Sequence, residues 1–266
     1  MTKEVLILSG AGNVFVMLDG RDGFRPDIPE IISLCREYRT DGLMILSLPV
    51  SAQGGADFIM EFYNPDGSGG MMCGNGGRCI TAFAETLGIA PADGRVYRCE
   101  AADGPHTGEI LSRGERCWTI RLGMKSVTAV EEVKGGYFLD TGTRHFVKFV
   151  EDVDAVDIMK EGPALRHDPF FGPVGTNVNF VQILPDGSLK VRTFEKGVEG
   201  ETLACGTGIT ASAIAFIRHR DSGLRPLHEM SVRLHARIAD LEVCFRRSAE
   251  GFDNVYLTGP VTYDRD

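Results

Sequence analysis

The sequence predicts a mixed protein of the α/β (α+β) class, organised as two similar domains. Three observations predict it. Short apolar runs of strand length alternate with a few segments of helical period. Turns rich in Gly and Asp separate them. The pattern Cys-Gly-x-Gly occurs twice, at Cys73 and at Cys205, 132 positions apart in a chain of 266 residues. Each copy precedes a helix of small and apolar residues, as a duplicated domain would give.

Taken in order, Val5 to Leu8 reads as a strand. Ile28, Ile31, Ile32 and Cys35 have the i, i+3, i+4, i+7 spacing of a helix over Pro29 to Arg39. Strands follow at Leu43 to Leu48 and Asp57 to Tyr63. A glycine-rich loop from Asn64 to Gly70 leads to a helix over Gly74 to Leu87, with Gly88 as its stop. Short strands are expected near Val96, Glu109 and Thr119. The segment Lys125 to Gly136 is polar and ends in Gly-Gly, so it reads as the domain boundary, placing one domain at 1–125 and the next from 126. Strands at Tyr137 to Thr141 and His145 to Val150 come next. A helix is expected over Val153 to Met159, ended by Gly162-Pro163. Asn177 to Leu184 and Leu189 to Phe194 form a hairpin across Pro185-Asp186-Gly187. A second glycine-containing loop leads to Cys205 and an apolar helix, Ile209 to Ile217. Strands near Val232, Leu241 and Val255 close the chain.

Composition narrows the function. Hydrophobic residues make up 43% and charged residues 24%, ordinary values for a folded soluble protein. A net charge of −9 argues against nucleic acid as a partner. No apolar run reaches the ~18 residues that a membrane span needs. Met1-Thr2-Lys3-Glu4 lacks the pattern of a signal peptide, so the cytoplasm is the expected location. The seven cysteines are odd in number and irregular in spacing, without Cys-x-x-Cys, which fits free thiols and no metal site. Cys35, Cys79, Cys99, Cys117 and Cys244 read as core residues.

Cys73 and Cys205 have a different context. A helix N-terminus has unsatisfied N–H groups and a partial positive charge. It favours a thiolate over a thiol and binds carboxylates. If the two halves face one another, one thiolate can remove a proton from a carbon while the other thiol delivers one to the opposite side. That is racemase or epimerase chemistry without a cofactor.

The surrounding residues carry a resemblance. Phe62-Tyr63-Asn64-Pro65-Asp66-Gly67-Ser68 followed by Met72-Cys73-Gly74-Asn75-Gly76-Gly77-Arg78-Cys79 closely resembles the signature of the diaminopimelate epimerase family. Gly10-Ala11-Gly12-Asn13-Val14-Phe15, Asn177-Val178-Asn179-Phe180-Val181, Glu195-Lys196-Gly197 and Glu201-Thr202 with Ala204-Cys205-Gly206-Thr207-Gly208 resemble its other motifs in order. Proline racemases share the two-cysteine logic but have His after Cys-Gly. The resemblance spans essentially the whole chain. It implies two domains, each a curved mixed sheet around a central helix, with the active site in the cleft between them. It also implies that residues 254–266 return to the first domain, leaving 126–253 as the second. Cys73 and Cys205 would be the acid/base pair. His145 would assist near Cys73 and Glu195 near Cys205. Gly74, Asn75, Gly206 and Thr207 would hold the reacting carboxylate. Asn13, Asn64, Asn177, Glu195 and Lys196 would also contact the substrate. The implied reaction interconverts LL- and meso-2,6-diaminopimelate in lysine and peptidoglycan precursor biosynthesis, with no cofactor and with a homodimer as an admissible assembly.

Four positions, in three motifs, depart from the family pattern. Thr143 and Arg144 stand where the family has Asn-Pro before His145, Lys196 stands for an Arg, and Val14 for an Asp. Thr143 and Lys196 fall where the family grips the distal end of its substrate. Lys cannot make the two-pronged contact of a guanidinium with a carboxylate. Thr143 keeps one hydrogen bond, and Arg144 would supply the fork from next door. A related racemase or epimerase acting on another amino acid is therefore the alternative. A dinucleotide site at Gly10-x-Gly12 lacks its third glycine, since Phe15 occupies that place. No context singles out a Schiff-base lysine. A small-molecule binding protein would keep the glycine loops without needing two thiols.

Overall fold

The computed structural model describes residues 4–49, 55–70, 72–220 and 229–264. The first three residues, which enter the signal-peptide reading, and the last two, assigned above to the first domain, lie outside the described residues. The chain divides into two compact units, one of Met1–Gly123 with Gly259–Asp266 and the other of Met124–Thr258.

In the first unit the elements run β1 (Val5–Gly10), β2 (Asn13–Asp19), α1 (Ile28–Tyr38), β3 (Gly42–Ser47), β4 (Phe58–Tyr63), α2 (Gly74–Thr86), β5 (Val96–Ala101), β6 (Gly104–Arg113) and β7 (Cys117–Gly123). The strands are hydrogen-bonded in chain order, and the last part of Gly251–Tyr263 adds to β7 and also pairs with β1. The sheet therefore closes on itself and has no free edge. Only β2–β3 and β4–β5 are parallel, and the chain crosses between them through α1 and α2.

Closure explains the two kinds of residue along β2 and β3. Phe15, Met17, Met44 and Leu46 point to one core, shared with Ile80, Phe83 and Ala84 of α2. Val16, Leu18, Leu43 and Ile45 point the other way, onto Ile31 and Cys35 of α1. Strands covered on both faces lose polar alternation and read as continuous apolar runs. That is why Asn13 to Asp19, a strand here, reads in the sequence only as a motif. α2 packs against β1, β2, β3, β4, β6 and β7, and every residue from Gly74 to Ala84 is buried. It is the central helix of this unit.

The second unit repeats the grammar: β8 (Val130–Val133), β9 (Gly136–Asp140), β10 (Arg144–Phe149), α3 (Ile158–Arg166), β11 (Asn177–Ile183), β12 (Leu189–Glu195), β13 (Gly200–Thr202), α4 (Gly206–Arg220), β14 (Glu229–His235), β15 (Asp240–Ser248) and β16 (Gly251–Tyr263). The order across the sheet is β16, β15, β14, β12, β11, β10, β9, β8, with β13 beside β12. The parallel pairs are β10–β11, crossed by α3, and β12–β14, crossed by α4. α4 packs on β9, β10, β11, β12, β14 and β15 and is the central helix here. Its small residues let strands approach on all sides.

Three expectations need detail or correction. The polar segment Lys125 to Gly136, read above as the domain boundary, starts beside the division between the units at Gly123 and Met124, and it contains β8, which pairs with β9 across a turn at Lys134 and Gly135. Its outer position in the sheet order leaves it polar. The helix expected over Val153 to Met159 instead begins at Ile158, capped by Asp157, and runs through Gly162 and Pro163 to Arg166. Gly162 lies against Phe194 of β12, where a Cβ would come within 2.5 Å of the ring, so packing on the sheet keeps a glycine inside the helix. Among the cysteines read as core, Cys35, Cys79 and Cys99 are buried, Cys244 is half-buried and Cys117 is exposed. Cys117 opens β7, at the end of the β6–β7 hairpin and beyond the cover of the core.

Candidate active site

In the first unit, Cys73 is the N-cap residue of α2. Its sulfur accepts from the Gly76 N–H at 3.5 Å, and its carbonyl accepts from Gly77 at 2.7 Å. Gly74 and Asn75 are the first two helical residues, and their N–H groups have no acceptor inside the helix. The side chains behind them form a chain of fixed polarity. Arg78 is wholly buried and can only donate, so the Asn75 atom it meets at 2.8 Å is Oδ1. Asn75 Nδ2 then donates to Asn13 Oδ1 at 2.5 Å. Asn13 is held with its oxygen engaged and its amide N–H groups left to donate. Burial lowers the Arg78 pKa to about 10, and the nearby Cys79 and Cys73 sulfurs oppose that shift.

Asn64 has a different occupation. Its side-chain amide donates to Ser68 Oγ at 2.9 Å, and its backbone closes the same turn with Ser68 and Gly67. Asp66 accepts from both the N–H and the hydroxyl of Ser68. In this state the Asn64 amide serves the loop.

In the second unit, Cys205 immediately precedes α4, is buried, and accepts the Ile209 N–H on its carbonyl at 2.8 Å. Gly206 and Thr207 begin the helix, in the same first-turn positions as Gly74 and Asn75 in α2. His145 is fully buried on β10. Its Nε2 meets Thr207 Oγ1 at 2.9 Å and Thr143 Oγ1 at 2.9 Å, and Thr207 Oγ1 lies 3.4 Å from the Cys205 sulfur. The hydrogen bonds of His145 therefore lead toward Cys205, whereas the resemblance associates it with Cys73. Burial drives its pKa down to about 3, so the ring is neutral at physiological pH.

Asn177 accepts the Lys196 N–H at 2.8 Å and donates to Arg144 O and Thr143 Oγ1. Both amide hydrogens are thus engaged within the protein, tying the ends of β10, β11 and β12. Thr143 is turned inward to this cluster rather than free to grip a substrate. Arg144 is exposed and, by strand alternation, on the opposite face of β10 from His145. Glu195 and Lys196 are half-buried where β12 ends, with Glu195 paired to Gly200 of β13.

Asn179, Thr193 and Arg78 have no role in the sequence reading, yet all three are buried; Asn179 is bonded to His145, Arg78 to Asn75, and Thr193 to Asn179. The available signal is a polar residue inside an apolar strand. Asn179 follows Val178 and precedes Phe180, and Thr193 stands opposite it in the register of β11 and β12. Three other cysteines are held as thiols: burial raises Cys99 to about 12 and pushes Cys35 and Cys79 upward.

The chain is similar to several known proteins. The family model described as diaminopimelate epimerase matches residues 137–263. The diaminopimelate epimerase of Chlorobaculum tepidum is 39% identical over 263 residues, covering 95% of this chain and 96% of its own. That of Flavobacterium psychrophilum is 36% identical, covering 96% and 95%. Among solved structures, a phenazine biosynthesis protein of the PhzF family from Bacillus anthracis superposes with a TM-score of 0.76 at 12% identity, covering 100% of this chain and 98% of that one. A probable proline racemase from Agrobacterium radiobacter gives 0.67 at 18% identity, covering 98% and 91%. At such identities these two likenesses establish the fold.

Proposed function

Because this chain belongs to the diaminopimelate epimerase family, we propose that it interconverts LL- and meso-2,6-diaminopimelate by two-base proton transfer between Cys73 and Cys205. The observation that carries the reading is the pair of cysteines, one per unit, each heading a buried central helix that starts with glycine. A thiolate takes the α-hydrogen as a proton, and the electron pair is left on the α-carbon and its carboxylate. The thiol of the other cysteine gives a proton to the opposite face. The two sulfurs exchange protonation states, and no electrons leave the system. An α-proton is very weakly acidic, so the charge that builds on the carboxylate must be stabilised. The N–H groups of Gly74, Asn75, Gly206 and Thr207, in the first turns at positive helix ends, are suited to that task. The amide donors of Asn13 suit the same anion.

The test is turnover of diaminopimelate in deuterated water. Deuterium should enter the inverted α-carbon with wild-type enzyme. Cys73→Ala and Cys205→Ala should each abolish epimerisation, and Cys→Ser should cost several orders of magnitude, because an alkoxide is far harder to form than a thiolate. Near-normal rates in either alanine variant would defeat the two-base reading. A second reading, a related epimerase for another amino acid, draws on Lys196 and on the inward-facing Thr143. Exchange into another amino acid, with none into diaminopimelate, would decide for it.

A further inference from the structure

In the polar cluster of the second unit, the groups that can only donate or only accept give the hydrogen bonds a consistent direction, beginning at Asn179. Its amide nitrogen lies 3.3 Å from the Phe146 carbonyl, which can only accept, so that atom is Nδ2 and not Oδ1. The other Nδ2 hydrogen is directed to His145 Nδ1 at 3.0 Å. Nδ1 is therefore the acceptor, and the neutral ring has its hydrogen on Nε2. Asn179 Oδ1 takes the Thr193 hydroxyl hydrogen at 2.9 Å, which stops the amide from turning over.

A second line of donors meets the first. Asn177 Oδ1 accepts a backbone N–H from Lys196, so its Nδ2 donates to Thr143 Oγ1 at 3.2 Å. Since His145 Nε2 is a donor, the Thr143 hydrogen has one acceptor left among the described residues, Thr207 Oγ1 at 3.4 Å. Thr207 Oγ1 also faces the Nε2–H of His145. With donors on both those sides, the Thr207 hydroxyl hydrogen is directed to the remaining neighbour, the Cys205 sulfur 3.4 Å away. Thr141 Oγ1 holds the Thr207 carbonyl at 2.9 Å and fixes the residue from its backbone side.

We propose that Asn179, Thr193, Thr143 and His145 are positioning residues that lock the Thr207 hydroxyl as a hydrogen-bond donor to the Cys205 thiolate. The inference rests on the reading of Cys205 as an acid/base group. It adds that the neutral imidazole acts through one fixed tautomer rather than by taking a proton. The charged groups whose fields reach the ring are Asp140 and Lys196, of opposite sign. Thr143, a departure from the family pattern, thereby has a place in the chemistry that is not substrate contact.

Two measurements test this without any turnover, so their failure is separate from failure of the diaminopimelate reading. In wild-type protein labelled with 15N-histidine, long-range proton–nitrogen correlation should show His145 protonated on Nε2 alone from pH 5 to 8, with His145→Gln identifying the signal. Protonation on Nδ1 would overturn the proposal. In the second, the pH dependence of iodoacetamide alkylation at Cys205 is read by mass spectrometry, with Cys73 in the same digest as internal reference. Thr207→Val should reduce the Cys205 thiolate fraction at a given pH about tenfold, as loss of a hydrogen bond to a charged group does, and Thr207→Ser should restore it. Asn179→Leu should mix the tautomers and shift Cys205 in the same direction. An unchanged Cys205 profile in Thr207→Val would refute the hydroxyl's role. A folded Asn179→Leu protein with a wild-type ring and profile would remove Asn179 from the chain of positioning groups.

Discussion

Gly208, the last residue of Cys-Gly-Thr-Gly, owes its identity to the side chains it lies against. A Cβ there would fall 2.3 Å from Asn179 Oδ1 and 3.3 Å from His145 Cε1. Neither partner can retreat, because both are buried and fully hydrogen-bonded. Gly208→Ala should therefore lower stability by about 1–3 kcal/mol in urea titration. Gly200→Ala, with no foreign atom nearer than 4.0 Å, should stay within about 0.5 kcal/mol. His145 makes a pH prediction of definite sign. Its pKa is about 3 in the fold against 6.5 when free. Between these values the unfolded chain binds one more proton than the native one, so stability falls as pH drops through that window. The slope is about 1.4 kcal/mol per pH unit, and His145→Gln should flatten the urea midpoint profile by that one proton. At the distal end, Lys196→Arg should keep activity on diaminopimelate and lower its KM if a carboxylate is gripped there. A loss of diaminopimelate turnover in that variant would argue for another substrate.

Among the elements, α1 shows how local sequence suffices when its signals agree. Asp27 accepts the Glu30 N–H at 2.8 Å and Glu30 returns the bond to the Asp27 N–H, a complete capping box followed by Pro29. Asp27→Ala should cost about 1 kcal/mol, measured as a shift in thermal or urea midpoint. α3 shows the opposite. Gly162 and Pro163 are breakers by propensity, but the helix is retained because one face is pressed on Phe194 and its neighbours. α4 is intermediate: Thr210 and Ser212 return their hydroxyls to the carbonyls of Gly206 and Gly208, which lets polar residues sit in a buried helix.

For each unit as a whole, the decisive feature is how its sheet is completed. In the first unit, Gly259 to Thr262 pair with β7, while Val261 and Thr262, with Tyr263, also pair with β1. One short segment thus seals a sheet whose other strands lie within the first 123 residues. Removing residues 259–266 should expose two strand edges at once. Hydrogen exchange at β1 and β7 should rise by orders of magnitude, while β10, β11 and β12 keep their protection. Uniform protection in the truncated chain would show that closure is not what stabilises this unit.

The sequence by itself determined the mixed class, the duplicated grammar, the helices α1 and α2 and both cysteine positions. Their signals are local: a periodicity, a cap, a glycine stop, a motif. It also determined the family, since long motifs in fixed order cannot arise from composition. It did not show β2, whose two buried faces erase alternation, or β8, whose outer position leaves it polar. It did not show the true span of α3, which is set by contact with a strand distant in sequence. Tertiary structure alone decided that Asn177 ties strands together, that Thr143 faces inward, and that Asn179 and Thr193 stand behind His145. The physical reason is the same in each case. A side-chain hydrogen bond is chosen by whichever partner the fold brings within about 3 Å, and those partners lie as far as 62 and 66 residues apart in sequence.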